Sequence, residues 1–188
     1  MRIIAGTKRG MKLLGPKAGA SRPITDRVKE SLFNVLYKYN MPAGKMVADL
    51  FCGVGSLGLE ALSRGALFVT FVEQDGKIIA TLEKNIQKAG FVQKSKVIKA
   101  NVFKVGASVD KRKYDLIFVD PPYETTREVE LNSPLGKLLD ILSGQLAPNG
   151  MIVVRTKHTT SLLKQYGQFR VIERRIWGTM AITILRKK

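Results

Sequence analysis

Residues Val47–Ala66 read VADLFCGVGSLGLEALSRGA. An apolar strand, Met46–Phe51, runs into the glycine turn Gly53-Val54-Gly55-Ser56-Leu57-Gly58, and a helix, Ser56–Arg64, leaves it, with Gly65 placed to end that helix. The turn is a literal G-x-G-x-x-G, the fingerprint of a dinucleotide-binding crossover. The glycines set a fold class, but they do not by themselves say which ligand the turn holds.

The same alternation continues outward from that stretch. Phe68–Val72 is a second strand capped by Glu73, and Gly76–Ala89 is a helix stopped by Gly90. Lys96–Ala100 is a third strand. Tyr114–Val119, the most hydrophobic, is a fourth and ends at Asp120-Pro121-Pro122-Tyr123. Pro134–Gln145 reads as a helix, Met151–Arg155 as a strand and Thr160–Tyr166 as a short helix, before the final strands Gln168–Arg175 and Met180–Leu185. Strand–helix alternation predicts a mostly parallel sheet covered on both faces. Ile176–Thr179 is too short for a parallel crossover, so the last of the seven strands should run antiparallel. Ahead of this core, Arg2–Leu14 alternates weakly and turns at Lys8-Arg9-Gly10, which predicts a small basic hairpin. A Gly/Pro/Ser-rich loop follows. A helix then begins at Thr25 or Asp26 as N-cap, with Val28, Leu32, Val35, Leu36 and Tyr39 on one face. The expected organisation is one domain over 1–188, with 1–24 as a basic extension and 25–188 as the core.

Charge is the informative total. The chain carries 32 Lys and Arg against 15 Asp and Glu, a net of +17. Residues 1–30 hold +6 and residues 155–188 hold +8, leaving +3 for everything between. Ends this basic form a face suited to phosphates if the fold brings them together. A single cysteine, Cys52, rules out an internal disulfide framework and fits a reducing compartment. No apolar run approaches a membrane span, and the first ten residues turn polar before a signal-peptide core could form. The expectation is a cytoplasmic protein without membrane or metal; nothing demands a partner subunit, so a monomer is expected.

In an open parallel sheet the ligand lies beyond the carboxyl ends of the strands. Asp49, Glu73 and Asn101 fall near successive ends. Glu73, 20 residues after Gly53, suits ribose hydroxyls, a need shared by NAD and S-adenosylmethionine. Asp49 favours the second. A carboxylate beside a pyrophosphate is repulsive, whereas beside the ammonium or sulfonium of a methionine moiety it is attractive. Nor does an NAD fingerprint call for Asp-Pro-Pro-Tyr at a later strand end.

Pro121 and Pro122 each hold the preceding residue extended, and neither has an N–H. The Pro121 carbonyl and the Asp120 carboxylate can therefore accept both hydrogens of an exocyclic amine on guanine or adenine. Accepting both favours the charged geometry that develops as the nitrogen attacks a methyl group, and Asp120 can then take the proton. Tyr123 would stack on the base, which must be unpaired or flipped out. His158, alone after a strand, reads as a surface loop residue.

RIIAGTKRGMKL, SRPITDRVKESLFNVL, DLFCGVGSLGLEALSRGA and FVDPPY, in this order, resemble the RsmD family of bacterial methyltransferases, which modify N2 of a guanine in 16S rRNA. The resemblance implies a Rossmann-like class I S-adenosylmethionine-dependent fold, S-adenosylmethionine as donor, and 16S rRNA within an assembling small ribosomal subunit as partner. It implies a cofactor site of Asp49, Phe51, Gly53, Gly55, Glu73, Gln74, Asn101 and Val102, with Thr25 and Asp26 near the methionine end. It implies Asp120, Pro121, Pro122 and Tyr123 as the catalytic group. The basic ends of the chain supply the expected RNA contacts: Arg2, Lys8, Arg9, Lys12, Arg22, Arg27, Arg174 and Arg175. The chain departs from the family pattern at Asn101, where an acid is common, and at Arg155-Thr156, where an acidic residue often ends the fifth strand. Two alternatives stay open: a DNA adenine-N6 methyltransferase, since DPPY serves that amine too, and a non-catalytic RNA-binding assembly factor.

Overall fold

The computed structural model describes residues 1–15, 24–107 and 112–187. Its elements are α1 (Asp26–Tyr37), β1 (Met46–Leu50), α2 (Ser56–Ser63), β2 (Phe68–Glu73), α3 (Gly76–Ala89), β3 (Ser95–Lys99), α4 (Val102–Val105), β4 (Tyr114–Val119), α5 (Pro134–Ser143), β5 (Leu146–Lys157), β6 (Gln165–Tyr166), β7 (Phe169–Trp177) and β8 (Met180–Lys187). The strands form one sheet in the order β3-β2-β1-β4-β5-β8-β7-β6. β1 to β5 are mutually parallel, and β8 runs antiparallel between β5 and β7. Chain order reverses between β1 and β4, which is where a doubly wound sheet opens a crevice. This is a Rossmann-like doubly wound sheet with a reversed strand beside β5.

Side-chain alternation along β4 divides the interior in two. Leu116 and Phe118 face a core shared with α1, α2 and α3, while Ile117 and Val119 face one shared with α5. The helices start and stop where local chemistry says they should. Asp75 caps α3 by accepting from Lys77 and Ile78 N–H, and Gly90 closes it at φ 72°. Ser133 caps α5 ahead of Pro134, and Thr25, not Asp26, caps α1 by accepting from Val28 N–H at 3.4 Å.

Three expectations change. Among the described residues the sheet has eight strands, not seven, because residues 160–166 do not form a helix. The Tyr166 hydroxyl donates to the Val129 carbonyl at 2.6 Å and accepts from Leu163 N–H, while Leu162 and Leu163 pack on the core; these contacts hold the segment extended, and its end pairs with β7 as β6. β5 is longer than Met151–Arg155. It starts at Leu146, bulges through 147–150 with Asn149 at φ 61°, and continues to Lys157. The N-terminal hairpin is present but reduced to one bridge, Arg2 with Lys12, supported by Ile3 N–H to the Met11 carbonyl at 3.0 Å.

That hairpin is docked by a buried charge. Glu60 of α2 accepts from Ile4 N–H (2.7 Å), Ala5 N–H (3.1 Å) and Arg64 Nε (2.7 Å), with Lys29 Nζ of α1 at 3.5 Å. Lys29 donates onward to the Arg2 carbonyl (2.6 Å) and to Ser56 Oγ (3.3 Å), the first residue of α2. Burial pushes the Lys29 ammonium below its ordinary pKa, and the Glu60 charge pulls it back. Among the described residues no helix is long and apolar enough to cross a membrane.

Candidate active site

Strand register assembles the site. Leu50 pairs with Val72 on one side and Val119 on the other, and Val119 pairs with Val154. One residue farther along each strand come Phe51, Glu73, Asp120 and Arg155, and all four line a cleft of about 940 Å³ at the carboxyl ends of the strands. Gly53, Gln74, Ile78, Ala100, Val102, Pro121, Pro122, Tyr123, Glu124 and the turn after β5 complete its walls.

The glycine turn is already occupied at its helix end. Asp49, 1% exposed, accepts from Gly58 N–H at 2.8 Å, at the first turn of α2 where a pyrophosphate would otherwise dock. Burial pushes its carboxyl well above the usual range, opposed by that N–H. Gly55 sits at φ 88°, with Leu82 Cδ1 only 2.4 Å from where a Cβ would stand, so the turn admits no side chain there. Gly53 is different: its Cβ position is open space, which leaves the backbone approachable from the cleft. Glu73 is fixed by Gly53 N–H (3.1 Å), Gln74 N–H (2.8 Å) and Asp75 N–H (3.0 Å). Phe51 takes the left-handed backbone, φ 55°, and its ring lies 5.2 Å from that of Phe103. A turn that excludes diphosphate, with a fixed carboxylate at the next strand end, fits an adenosine carrying a cationic amino-acid tail.

Asp120 is held against Arg155, Oδ1 to Nε 2.5 Å, and both are largely buried. Burial raises the Asp120 carboxyl to about 6, against the downward pull of the Arg155 charge. Nothing among the described residues donates to the Pro121 carbonyl, whereas that of Pro122 accepts from Thr125 N–H and Oγ1. Tyr123 has the Arg155 guanidinium 5.8 Å and the Lys157 ammonium 5.9 Å from its ring centre.

A family model described as "Conserved hypothetical protein 95" matches residues 1–186. The ribosomal RNA small subunit methyltransferase D of Escherichia coli is 33% identical over 100% of this chain and 90% of its own length; that of Haemophilus influenzae is 36% identical over 87% and 82%. The chain belongs to the RsmD family. Among solved structures, the yhhF protein of E. coli superposes with a TM-score of 0.83 at 30% identity, covering 100% of this chain and 98% of that one. The RsmD family uses S-adenosylmethionine, and Phe51, Gly53, Glu73, Gln74 and Val102 of the cleft could hold it.

Not every expected residue reaches the cleft. Asp49 and Gly55 shape the turn from beneath, and Asn101 spends its side-chain oxygen capping α4 through Phe103 N–H at 2.9 Å. Thr25 and Asp26 are elsewhere, Asp26 accepting from Arg2 Nε at 2.9 Å. Arg174 and Arg175 are not open phosphate contacts. The first donates to the His158 (2.7 Å) and Thr160 (3.1 Å) carbonyls, and the second pairs with Glu173 at 2.5 Å. Lys8 is partly exposed, and Arg9, Lys12 and Arg27 are exposed on the N-terminal side; Arg22 lies outside the described residues. Sequence reasoning named Arg155 only as a departure from the family pattern, read His158 as a surface loop residue and did not single out Lys157, Thr159 or Thr179, yet all five line the cleft. Their signal was available: β5 is itself a parallel strand, and its end faces the same crevice.

Proposed function

We propose that this chain transfers a methyl group from S-adenosylmethionine to the N2 amine of a guanine in 16S rRNA of an assembling small ribosomal subunit, in the cytoplasm. The observation that carries the reading is one cleft containing both Glu73, fixed for the cofactor, and the Asp120 carboxylate beside an open Pro121 carbonyl. The names of the relatives support the rRNA substrate. When bound, S-adenosylmethionine supplies an electrophilic methyl group. The remaining work falls to this chain: Asp120 and the Pro121 carbonyl orient the amine, Tyr123 positions the base, and Asp120 receives the proton as the nitrogen becomes acidic.

The test is a radiolabelled-methyl assay on small subunits and on free 16S rRNA from cells lacking this protein, with genomic DNA in parallel. N2-methylguanosine in the RNA digest is the expected product. Label in DNA as N6-methyladenine overturns the reading, and so does labelling of neither.

A pH profile adds an independent check. An acceptor carboxylate must be ionised, so kcat/KM should fall about tenfold per unit below pH about 6, where Asp120 takes up a proton. Arg155→Met removes the charge that holds this pKa down, so the acid limb should move to higher pH while activity near pH 9 is largely kept. A limb that does not move would show that Arg155 has no hold on Asp120.

A further inference from the structure

The two cations at Tyr123 are not equivalent. Arg155 is buried and committed to Asp120. Lys157, two residues farther along β5, is exposed, and no carboxylate pairs with it among the described residues. We propose that Lys157, with the His158–Thr159 turn beside it, seats a backbone phosphate of the nucleotide whose base enters the cleft. The inference rests on the function proposed above, because a nucleotide is what brings a base and a phosphate to one site together.

The wall is built rather than incidental. Lys157 pairs with Met180 of β8, and the turn that follows is fastened from two directions. His158 N–H donates to the Thr179 carbonyl at 3.0 Å, and Thr160 N–H closes the turn on the Lys157 carbonyl at 3.0 Å. From β7, Arg174 donates to the carbonyls of both His158 and Thr160. Two guanidinium bonds to consecutive parts of one loop fix its backbone before any ligand arrives, which lowers the ordering cost of binding. Arg174 therefore acts on the RNA through this turn, as a positioning residue.

Charge in the cleft is divided along its length. Glu73 and Asp120 stand at the ends of β2 and β4 and suit a cationic tail, while Lys157 stands beside Tyr123 after the end of the parallel run of β5. Glu124 also lines the cleft next to Tyr123. A base stacked on Tyr123 has its sugar-phosphate leaving past a lysine whose ammonium is already 5.9 Å from the ring. A lysine resting on a tyrosine at an exposed site contributes little without a ligand.

The experiment measures binding of 16S rRNA to the full chain across a salt series, alongside equilibrium dialysis of S-adenosylmethionine. Lys157→Gln should weaken RNA binding about tenfold. It should also flatten the slope of log K against log salt by about 0.7–0.9, the signature of one lost phosphate contact. Cofactor affinity should be unchanged. Arg174→Met should weaken RNA binding in the same direction, with cofactor affinity intact. An unchanged slope in Lys157→Gln overturns the proposal, and so does a fall in cofactor affinity with RNA binding intact, which would give the lysine to the cofactor instead. If the wild type methylates guanine in 16S rRNA and Lys157→Gln matches it in binding, this inference alone fails. If the wild type methylates no RNA, the function proposed above fails first.

Discussion

Asp120→Asn should lower methyl transfer about 10³-fold while S-adenosylmethionine binding, measured by dialysis, stays within about threefold. Asparagine keeps the shape of the side chain and one acceptor oxygen, but it cannot be charged and presents hydrogens where the target amine also presents hydrogens. The carboxylate stands at the end of β4, two strands away from Glu73 at the end of β2, and does not belong to the glycine turn, so the two activities should separate. The substitution also takes away the counter-charge of buried Arg155. A urea titration on the same preparation therefore has to show that the variant is folded. Turnover near wild type in a folded Asp120→Asn variant would refute the amine-holding role outright.

The second large effect is on stability. Glu60→Ala should cost about 3–5 kcal/mol, read as a fall in urea midpoint, because it leaves Lys29 buried and unpaired. It also orphans the N–H groups of Ile4 and Ala5, which lose their acceptors at 2.7 and 3.1 Å. The double variant Glu60→Ala/Lys29→Met should regain part of the loss, since the ammonium is gone while the two N–H groups are still unsatisfied. A single variant within 1 kcal/mol of wild type would mean that the N-terminal segment docks without Glu60, through its apolar residues Ile3 and Leu13 and its hydrogen bonds to Ser63 and Asn85.

The parts of the molecule that could be read from the chain are those where local chemistry and tertiary packing agree. Gly76–Ala89 was bounded correctly because Asp75 and Gly90 dictate both ends whatever surrounds them. Tyr114–Val119 was bounded correctly because a strand buried on both faces is a continuous apolar run, and Asp-Pro-Pro must end it. Residues 160–166 went the other way. Leu162, Leu163 and Tyr166 have helical spacing, but the Tyr166 hydroxyl finds its partner 37 residues back at Val129, which no local pattern encodes. The site divides along the same line. Asp49, Glu73 and Asp120 were legible as polar residues at strand ends. The Asp120–Arg155 pair was not, because the two residues meet only through the β4–β5 register. Arg174 was misread for a related reason: charge counted along a sequence does not show which guanidinium groups the fold has already bonded to its own carbonyls.

The margins of the sheet carry one more consequence. One rim ends on β6, two residues long, and the other on β3, Ser-Lys-Val-Ile-Lys, whose five residues include two lysines. An approaching chain finds almost no ladder to extend at the first rim and two ammonium groups at the second. β7, nine residues long and bearing an exposed Ile176, would be a far better template for intermolecular pairing. The short strand that sequence reading mistook for a helix covers Phe169 and Arg170 of it, so Gln165–Tyr166 shortens the ladder that this edge offers to another chain.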